Sequence, residues 1–229
     1  MFGPLRIFIG YEPREAVAYH VLEHSLQVRS SIPLLISPLN RSTLAEFYKR
    51  PKGEYDSTDF AISRFLVPWL CGFRGWAVFM DCDMLARDDI AGLADYIKLP
   101  NWYKSVLVCQ HEYVPKDSEK FFGHAQTKYR RKNWSSVMLF NNERCKKLTP
   151  DYVQTAPGLA LHQFMWLDDA QIGEIPLRWN WLVGEYERSD GAALVHFTRG
   201  GPWNERFANC DYSDEWRKEL AAMTYAEHG

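Results

Sequence analysis

Five consecutive apolar residues, Trp76-Ala77-Val78-Phe79-Met80, stop abruptly at Asp81-Cys82-Asp83. A run so short and so uniformly apolar reads as a strand buried on both faces, the habit of parallel sheets covered by helices. Residues 5–9, 105–109 and 137–140 repeat the pattern, ending at Gly10, Gln110 and Asn141, and a second strand is expected over residues 32–36. Pro13 opens a stretch to Val28 without internal Gly or Pro, with Val17, Val21 and Val28 on one face beside Ala18 and Leu22, as a helix requires. Residues 59–70 are expected to be helical, with Pro68 ending or kinking the helix. Strands alternating with helices predict an α/β fold with a mainly parallel central sheet flanked by helices. Such sheets place their ligands in the crevice outside the carboxyl ends of the strands, where the polar residues of this chain gather.

The 229 residues suit one domain over 1–229, and 46% hydrophobic residues suffice for a real core. Twenty-seven Lys plus Arg against 29 Asp plus Glu leave no basic field for nucleic acid. Five cysteines, scattered and never in a CxxC, indicate neither a zinc site nor a disulfide framework, so a reducing, cytoplasmic setting is expected. The amino terminus lacks a basic segment before an apolar one, and no run reaches the ~18 apolar residues of a membrane span. The basic run Lys128–Lys132, inside a long loop over residues 112–133, reads first as a solvated face, with at most peripheral contact with an anionic acceptor or lipid as the sharper alternative. Residues 213–226 pattern as an amphipathic helix docked on the domain. His20 and His24, one helical turn apart, are expected on a partly exposed face. Of nine tryptophans, Trp76 and Trp166 are expected in the core and Trp179, Trp181 and Trp203 as walls near the crevice.

A D-x-D arises by chance in a chain this long roughly half the time. Its position at the end of a buried strand makes it informative, because two carboxylates released there repel unless a cation lies between them. Hard oxygen ligands suit Mg²⁺ or Mn²⁺ carrying a diphosphate. His196-Phe197-Thr198-Arg199-Gly200-Gly201-Pro202-Trp203 follows the apolar residues 192–195. His196 can add an imidazole ligand, Gly200 and Gly201 admit close approach of phosphate oxygens, and Arg199 can pair with phosphate charge. Cys82, between the acids, is expected to point inward as packing.

In order along nearly the whole chain these segments resemble the GT-A glycosyltransferases, and among them the retaining family 8 enzymes typified by glycogenin and bacterial lipopolysaccharide galactosyltransferases. Ile7-Phe8-Ile9-Gly10-Tyr11-Glu12 is similar to the first strand and base-binding turn, with Glu12 where the family has Asp. Ser63-Arg64-Phe65-Leu66-Val67-Pro68 resembles the helix whose Arg reaches the donor sugar, and Phe79–Met84 the metal motif. Trp134-Ser135-Ser136-Val137-Met138-Leu139-Phe140-Asn141 is similar to the Asn-x-Gly-Val-Met-Leu-x-Asn strand. His162-Gln163 and residues 176–180 resemble the Asp-Gln-Asp and Leu-Pro-x-x-Trp-Asn motifs, and residues 196–203 the His-x-x-Gly-x-x-Lys-Pro-Trp motif. The chain departs where Trp134 replaces Asn, where His162 and Phe164 replace the carboxylates, and where Gly201 replaces Lys and leaves Arg199 as the phosphate cation.

The resemblance implies transfer of a sugar from a nucleoside diphosphate sugar, a UDP-sugar first, to a hydroxyl of a carbohydrate, lipid-linked or small-molecule acceptor, with retention at the anomeric carbon. It assigns Asp81, Asp83 and His196 to the Mn²⁺ or Mg²⁺, with Gln163 and Asp83 catalytic. Gly10, Tyr11 and Glu12 would contact the base; Arg64, Trp134, Ser135, Ser136 and His162 the sugar; Asp81, Cys82, Arg199, Gly200 and Gly201 the remaining donor. Two rivals stay open. One is a haloacid dehalogenase-type phosphohydrolase, which also places D-x-D after an apolar strand but near the start of its domain; the other is a non-catalytic nucleotide or sugar binder built on the aromatic residues.

Overall fold

A computed structural model describes residues 3–53, 56–97, 101–112 and 130–225. Strand β1 (Leu5–Gly10) leads through a 3-10 turn at Pro13–Glu15 into helix α1 (Ala16–Arg29), which returns the chain to β2 (Leu34–Leu39) parallel to β1. Strand β2 starts two residues later than expected and alternates exposed and half-buried residues over most of its length. That is edge-strand behaviour, and it explains how Pro38 is tolerated opposite Ile9. On its other side β1 pairs parallel with β3 (Trp76–Met80).

Pro68 neither ends nor kinks a long helix. Residues 59–62 are turns, Ser63–Leu66 is a 3-10 helix, and Pro68 sits in the first turn of the four-residue α2 (Val67–Leu70), where its missing N–H goes unnoticed. After β3 the chain forms β4 (Met84–Ala86), α3 (Ala91–Ala94), β5 (Val106–Val108) and β6 (Val137–Asn141). Helices α4 (Pro150–Thr155) and α5 (Gly158–His162) precede β7 (Ile172–Glu174), β8 (Trp181–Leu182), β9 (Leu194–His196) and α6 (Ser213–Thr224). The main sheet runs β2-β1-β3-β6-β5-β7, and a smaller one runs β4-β9-β8.

Strand β6 is antiparallel to both β3 and β5, whereas the other neighbours in the main sheet are parallel. Its reversal corrects one expectation: Asn141 pairs with Trp76 at the edge remote from Asp81, and its amide donates to the Trp102 carbonyl. The start of β6 comes to the crevice instead. Met80 pairs with Val137 and the Asp81 N–H donates to the Ser136 carbonyl at 3.0 Å.

The main core fills both sides of the large sheet, and Val78, Phe79, Leu107, Leu139 and Phe140 are fully enclosed. Trp166 and Trp179 are buried, while Trp76 is half-buried, because it starts β3 where the sheet meets solvent. Trp179 is therefore core and no crevice wall; its ring lies against Gly92. A second cluster under the small sheet joins Val21, Leu85, Val195, Phe197, Tyr212 and Trp216.

Helix α6 docks on α1 as its pattern predicts, with Trp216 buried. Glu219, 5% exposed, binds His24 Nδ1 at 2.5 Å and Arg29 Nη2 at 2.6 Å. His24 is thus half-buried in this interface and His20 is exposed. The long loop over residues 112–133 with its basic run, and the end of the expected C-terminal helix, fall largely outside the described residues. Glu219→Ala leaves the Arg29 guanidinium and the His24 ring without their shared buried acceptor, and because both partners reach water the loss should be about 2 kcal/mol, read from urea denaturation.

Candidate active site

The chain leaves β3 at Met80 and enters β4 at Met84, so Asp81, Cys82 and Asp83 form the hinge between the two sheets. Cys82 is fully buried, and alternation turns the two carboxylates the opposite way. Pairing of β4 with β9 then supplies the third group: Met84 lies opposite His196, and the Phe197 N–H donates to the Asp83 carbonyl at 2.8 Å. His196 Nε2 stands 3.3 Å from Asp83 Oδ1 and 3.9 Å from Asp81 Oδ2. One ligand atom from each of the three residues lies within 4.8 Å of the others, a spacing that one divalent ion can bridge.

The imidazole is oriented from behind. Asn180 Oδ1 lies 2.9 Å from His196 Nδ1, and the Asn180 amide nitrogen donates to the Asn133 carbonyl at 3.2 Å. With the amide so fixed, Nδ1 donates to Asn180 Oδ1 and Nε2 is the ring nitrogen turned toward the carboxylates, an orientation that suits a metal-binding histidine.

Arg64 is nearly buried. Its Nε donates to the Ala61 carbonyl and Nη1 to the Ser135 carbonyl, both at 2.9 Å, and the guanidinium lies over the Phe60 and Phe79 rings. Nη1 is also 2.9 Å from Asp81 Oδ1, close enough for charge attraction but not aligned as a hydrogen bond, so that buried oxygen has no donor. Burial raises the Asp81 carboxyl, Arg64 opposes the rise and Asp83 adds to it, for a net upward shift. An ion between the acids would relieve the repulsion, so two carboxylates and an imidazole within 4.8 Å of one another fit a hard divalent cation.

The remaining predicted residues divide by placement. Glu12 is buried, with Oε1 taking the Arg14 guanidinium at 2.6 Å and Oε2 the Asp59 N–H at 3.0 Å. Burial would raise its pKa, but these donors outweigh burial and hold it below the usual carboxylate range. Tyr11 is half-buried and edge-on to Tyr19, and Gly10 packs directly on the Phe60 ring. Ser136 hydrogen-bonds Asp81 through its side chain, and Ser135 Oγ lies 2.8 Å from His162 Nδ1, so both serines and His162 reach the same edge as Asp81.

Gln163 caps α5, and its carbonyl accepts from Arg131 Nη1 at 2.8 Å. The next residue, Phe164, is buried with φ 56°, a left-handed conformation unusual for a bulky side chain and one that sharply redirects the chain after Gln163. Trp134 donates its indole N–H to the His111 carbonyl at 3.1 Å. Arg199 Nη1 donates to the Gly184 carbonyl at 3.3 Å and lines a cavity of about 330 Å³ with Gly200, Glu205, Arg206 and Asn209. Gly200 has φ 125°, which glycine alone adopts readily, and a Cβ on Gly201 would sit 2.1 Å from the Trp203 ring.

Three polar groups here escape sequence reasoning. Asn180, noted only within a longer motif, orients His196. His111 is buried beside Tyr186, its Nδ1 2.8 Å from the phenol oxygen, and burial, with His196 adding, lowers its pKa to about 3. Glu15 is 5% exposed, and burial followed by the charge of Asp83 pushes its pKa up to about 8. Locally it resembles any acidic residue at a helix start, so no sequence signal marks it.

No known family profile matches the chain. Among solved structures the fold is similar to the apo bifunctional glycosyltransferase WbbM, with TM-score 0.66 and 13% identity, covering 96% of this chain and 50% of that one. An active-site mutant of LgtC gives TM-score 0.62 and 13% identity over 98% of both chains. The galactosyltransferase LgtC with donor and acceptor sugar analogues gives TM-score 0.61 and 12% identity, again over 98% of both. The architecture is therefore the GT-A glycosyltransferase fold, a mixed sheet flanked by helices. Within it, the chain is 44% identical over 227 residues to Protein CDI of Arabidopsis thaliana, covering 95% of this chain and 86% of that protein, and it belongs to the CDI family.

Glu15 makes the metal-free protein pH-sensitive. A carboxyl at about 8 when folded, against an ordinary 4.5, keeps a proton that the unfolded chain gives up between those values. Stability therefore falls as pH rises from 4.5 to 8. In EDTA, Glu15→Gln should melt several degrees above wild type at pH 8.5, with the difference vanishing near pH 4.5, as thermal denaturation at both pH values would show.

Proposed function

We propose that this chain is a metal-dependent glycosyltransferase of the family 8 type, moving a sugar from a UDP-sugar to a hydroxyl acceptor with retention. The observation that carries the reading is the convergence of Asp81, Asp83 and an Asn180-oriented His196 at the carboxyl edge of β3 in a GT-A fold. These three residues would hold Mn²⁺ or Mg²⁺. A bound ion neutralises diphosphate charge as the leaving group departs.

The chain's own groups divide the rest of the work. Gly10, Tyr11 and Glu12 border the base, and Glu12 meets it through a carboxylate already preset by Arg14 and Asp59. Arg64 acts by fixing Asp81 and the Ser135 carbonyl. Trp134, Ser135, Ser136 and His162 surround the sugar, Cys82 packs behind the acids, and Gly200 and Gly201 face the diphosphate beside Arg199. As the bond from anomeric carbon to phosphate oxygen breaks, Gln163 stabilises positive charge on the sugar ring. The acceptor oxygen bonds to that carbon on the same face, and its proton passes to the departing phosphate oxygen. Five unpaired cysteines support a cytoplasmic setting. Among the described residues no helix is long and apolar enough to cross a membrane.

The test is titration of Mn²⁺ and Mg²⁺ into EDTA-treated protein with a panel of UDP-, GDP-, ADP- and CMP-sugars. A UDP-sugar should turn over only with metal, Asp83→Asn should lower the rate at least a hundredfold, and Asn180→Ala should weaken Mn²⁺ binding roughly 10- to 100-fold. Turnover undiminished by chelation, or a phosphoaspartate trapped at Asp81, would overturn the reading.

A further inference from the structure

Glu15 and Trp203 take no part in the reaction described above, yet they join two elements that flank the metal centre. Glu15 occupies the N-cap position of α1 but makes no cap; its carboxyl turns from the helix amides to accept the Trp203 indole N–H at 3.2 Å. Trp203 is the last residue of the turn that begins at the ligand His196. Its half-buried ring meets three further groups. It presses on Gly201, meets the Phe197 ring edge-on at 5.7 Å, and contacts Trp216 of α6 at 5.4 Å. Two hydrogen bonds shape the turn between them, from the Gly200 N–H to the Phe197 carbonyl at 2.7 Å and from the Asn204 N–H to the Gly201 carbonyl at 3.0 Å.

An indole wedged among rings is held by packing in position but not in rotation about its contacts; one directional hydrogen bond from a buried, immobile acceptor supplies the missing constraint. The Glu15 backbone is itself fixed by its N–H bond to the Glu12 carbonyl. We propose that Glu15 and Trp203 form a latch that sets the Arg199-Gly200-Gly201 turn, making both positioning residues for the diphosphate-facing side of the site. The service to a diphosphate rests on the glycosyltransferase reading; the latch itself does not. Its working part is the hydrogen bond and not the charge, since a glutamine offers the same acceptor oxygen.

The full-length chain carrying Glu15→Gln, Glu15→Leu or Trp203→Phe would be compared with wild type. Calorimetric titration with UDP in the presence of Mn²⁺ should give wild-type affinity within about twofold for Glu15→Gln and a loss of roughly three- to tenfold for Glu15→Leu and Trp203→Phe. Trp203→Phe keeps an aromatic ring in the cluster, so its loss would not reflect a collapsed core. Amide hydrogen exchange at Gly200 and Asn204, measured without ligand, should quicken in Glu15→Leu and Trp203→Phe and stay at the wild-type rate in Glu15→Gln. Unchanged exchange in Glu15→Leu and Trp203→Phe, or Glu15→Gln behaving like Glu15→Leu, would overturn the latch. Wild-type protein that binds no UDP with Mn²⁺ while exchange follows the expected pattern would overturn the nucleotide reading and leave the latch standing.

Discussion

Asp81 and Asp83 emerge from a largely buried strand into a place where two carboxylates repel, and much of the surrounding structure compensates that repulsion. Arg64 brings a cation from one side, His196 an imidazole from another, and Ser136 a hydroxyl to Asp81. Glu15, inside the same field, answers by retaining its proton. These responses leave one Asp81 oxygen, the one beside Arg64, without an aligned donor.

Each compensating group depends on strand pairing. Had β6 run parallel to β3, its first residues would lie at the far edge of the sheet, and neither Ser135 nor Ser136 could meet Arg64 or Asp81. The short β4-β9 ladder is equally decisive, because the register that sets Met84 against His196 places the imidazole beside Asp83. Behind that ladder, Asn180 and the Trp203 cluster restrict how the histidine and its following turn can move, so the geometry at the centre is held by residues that need not touch a ligand.

Much of this was legible in the chain. The abrupt end of an apolar run at Asp81-Cys82-Asp83, and a histidine leaving a strand before two glycines, indicated the triad and the α/β class, since burial on both faces leaves a strong compositional trace. Local chemistry misled where tertiary context overrode it. Pro68 looked like a terminator yet sits in the first turn of α2, where a proline is harmless. Trp179 looked like a crevice wall and is core, and Asn141 looked like a crevice residue and lies at the opposite edge, because a lone strand does not declare its direction.

The sequence by itself determined the layered class of the fold, the strand that ends in the acidic pair, the burial of Cys82 and the docking of an amphipathic C-terminal helix; each follows from periodicity over a few neighbouring residues. Only the tertiary structure decided the direction of β6, the pairing of Asn180 with His196, the commitment of Arg64 and Glu12 to internal partners, and the bond from Glu15 to Trp203. Those contacts join residues distant along the chain: hydrogen-bond geometry and burial are properties of the folded arrangement, and no local pattern records them.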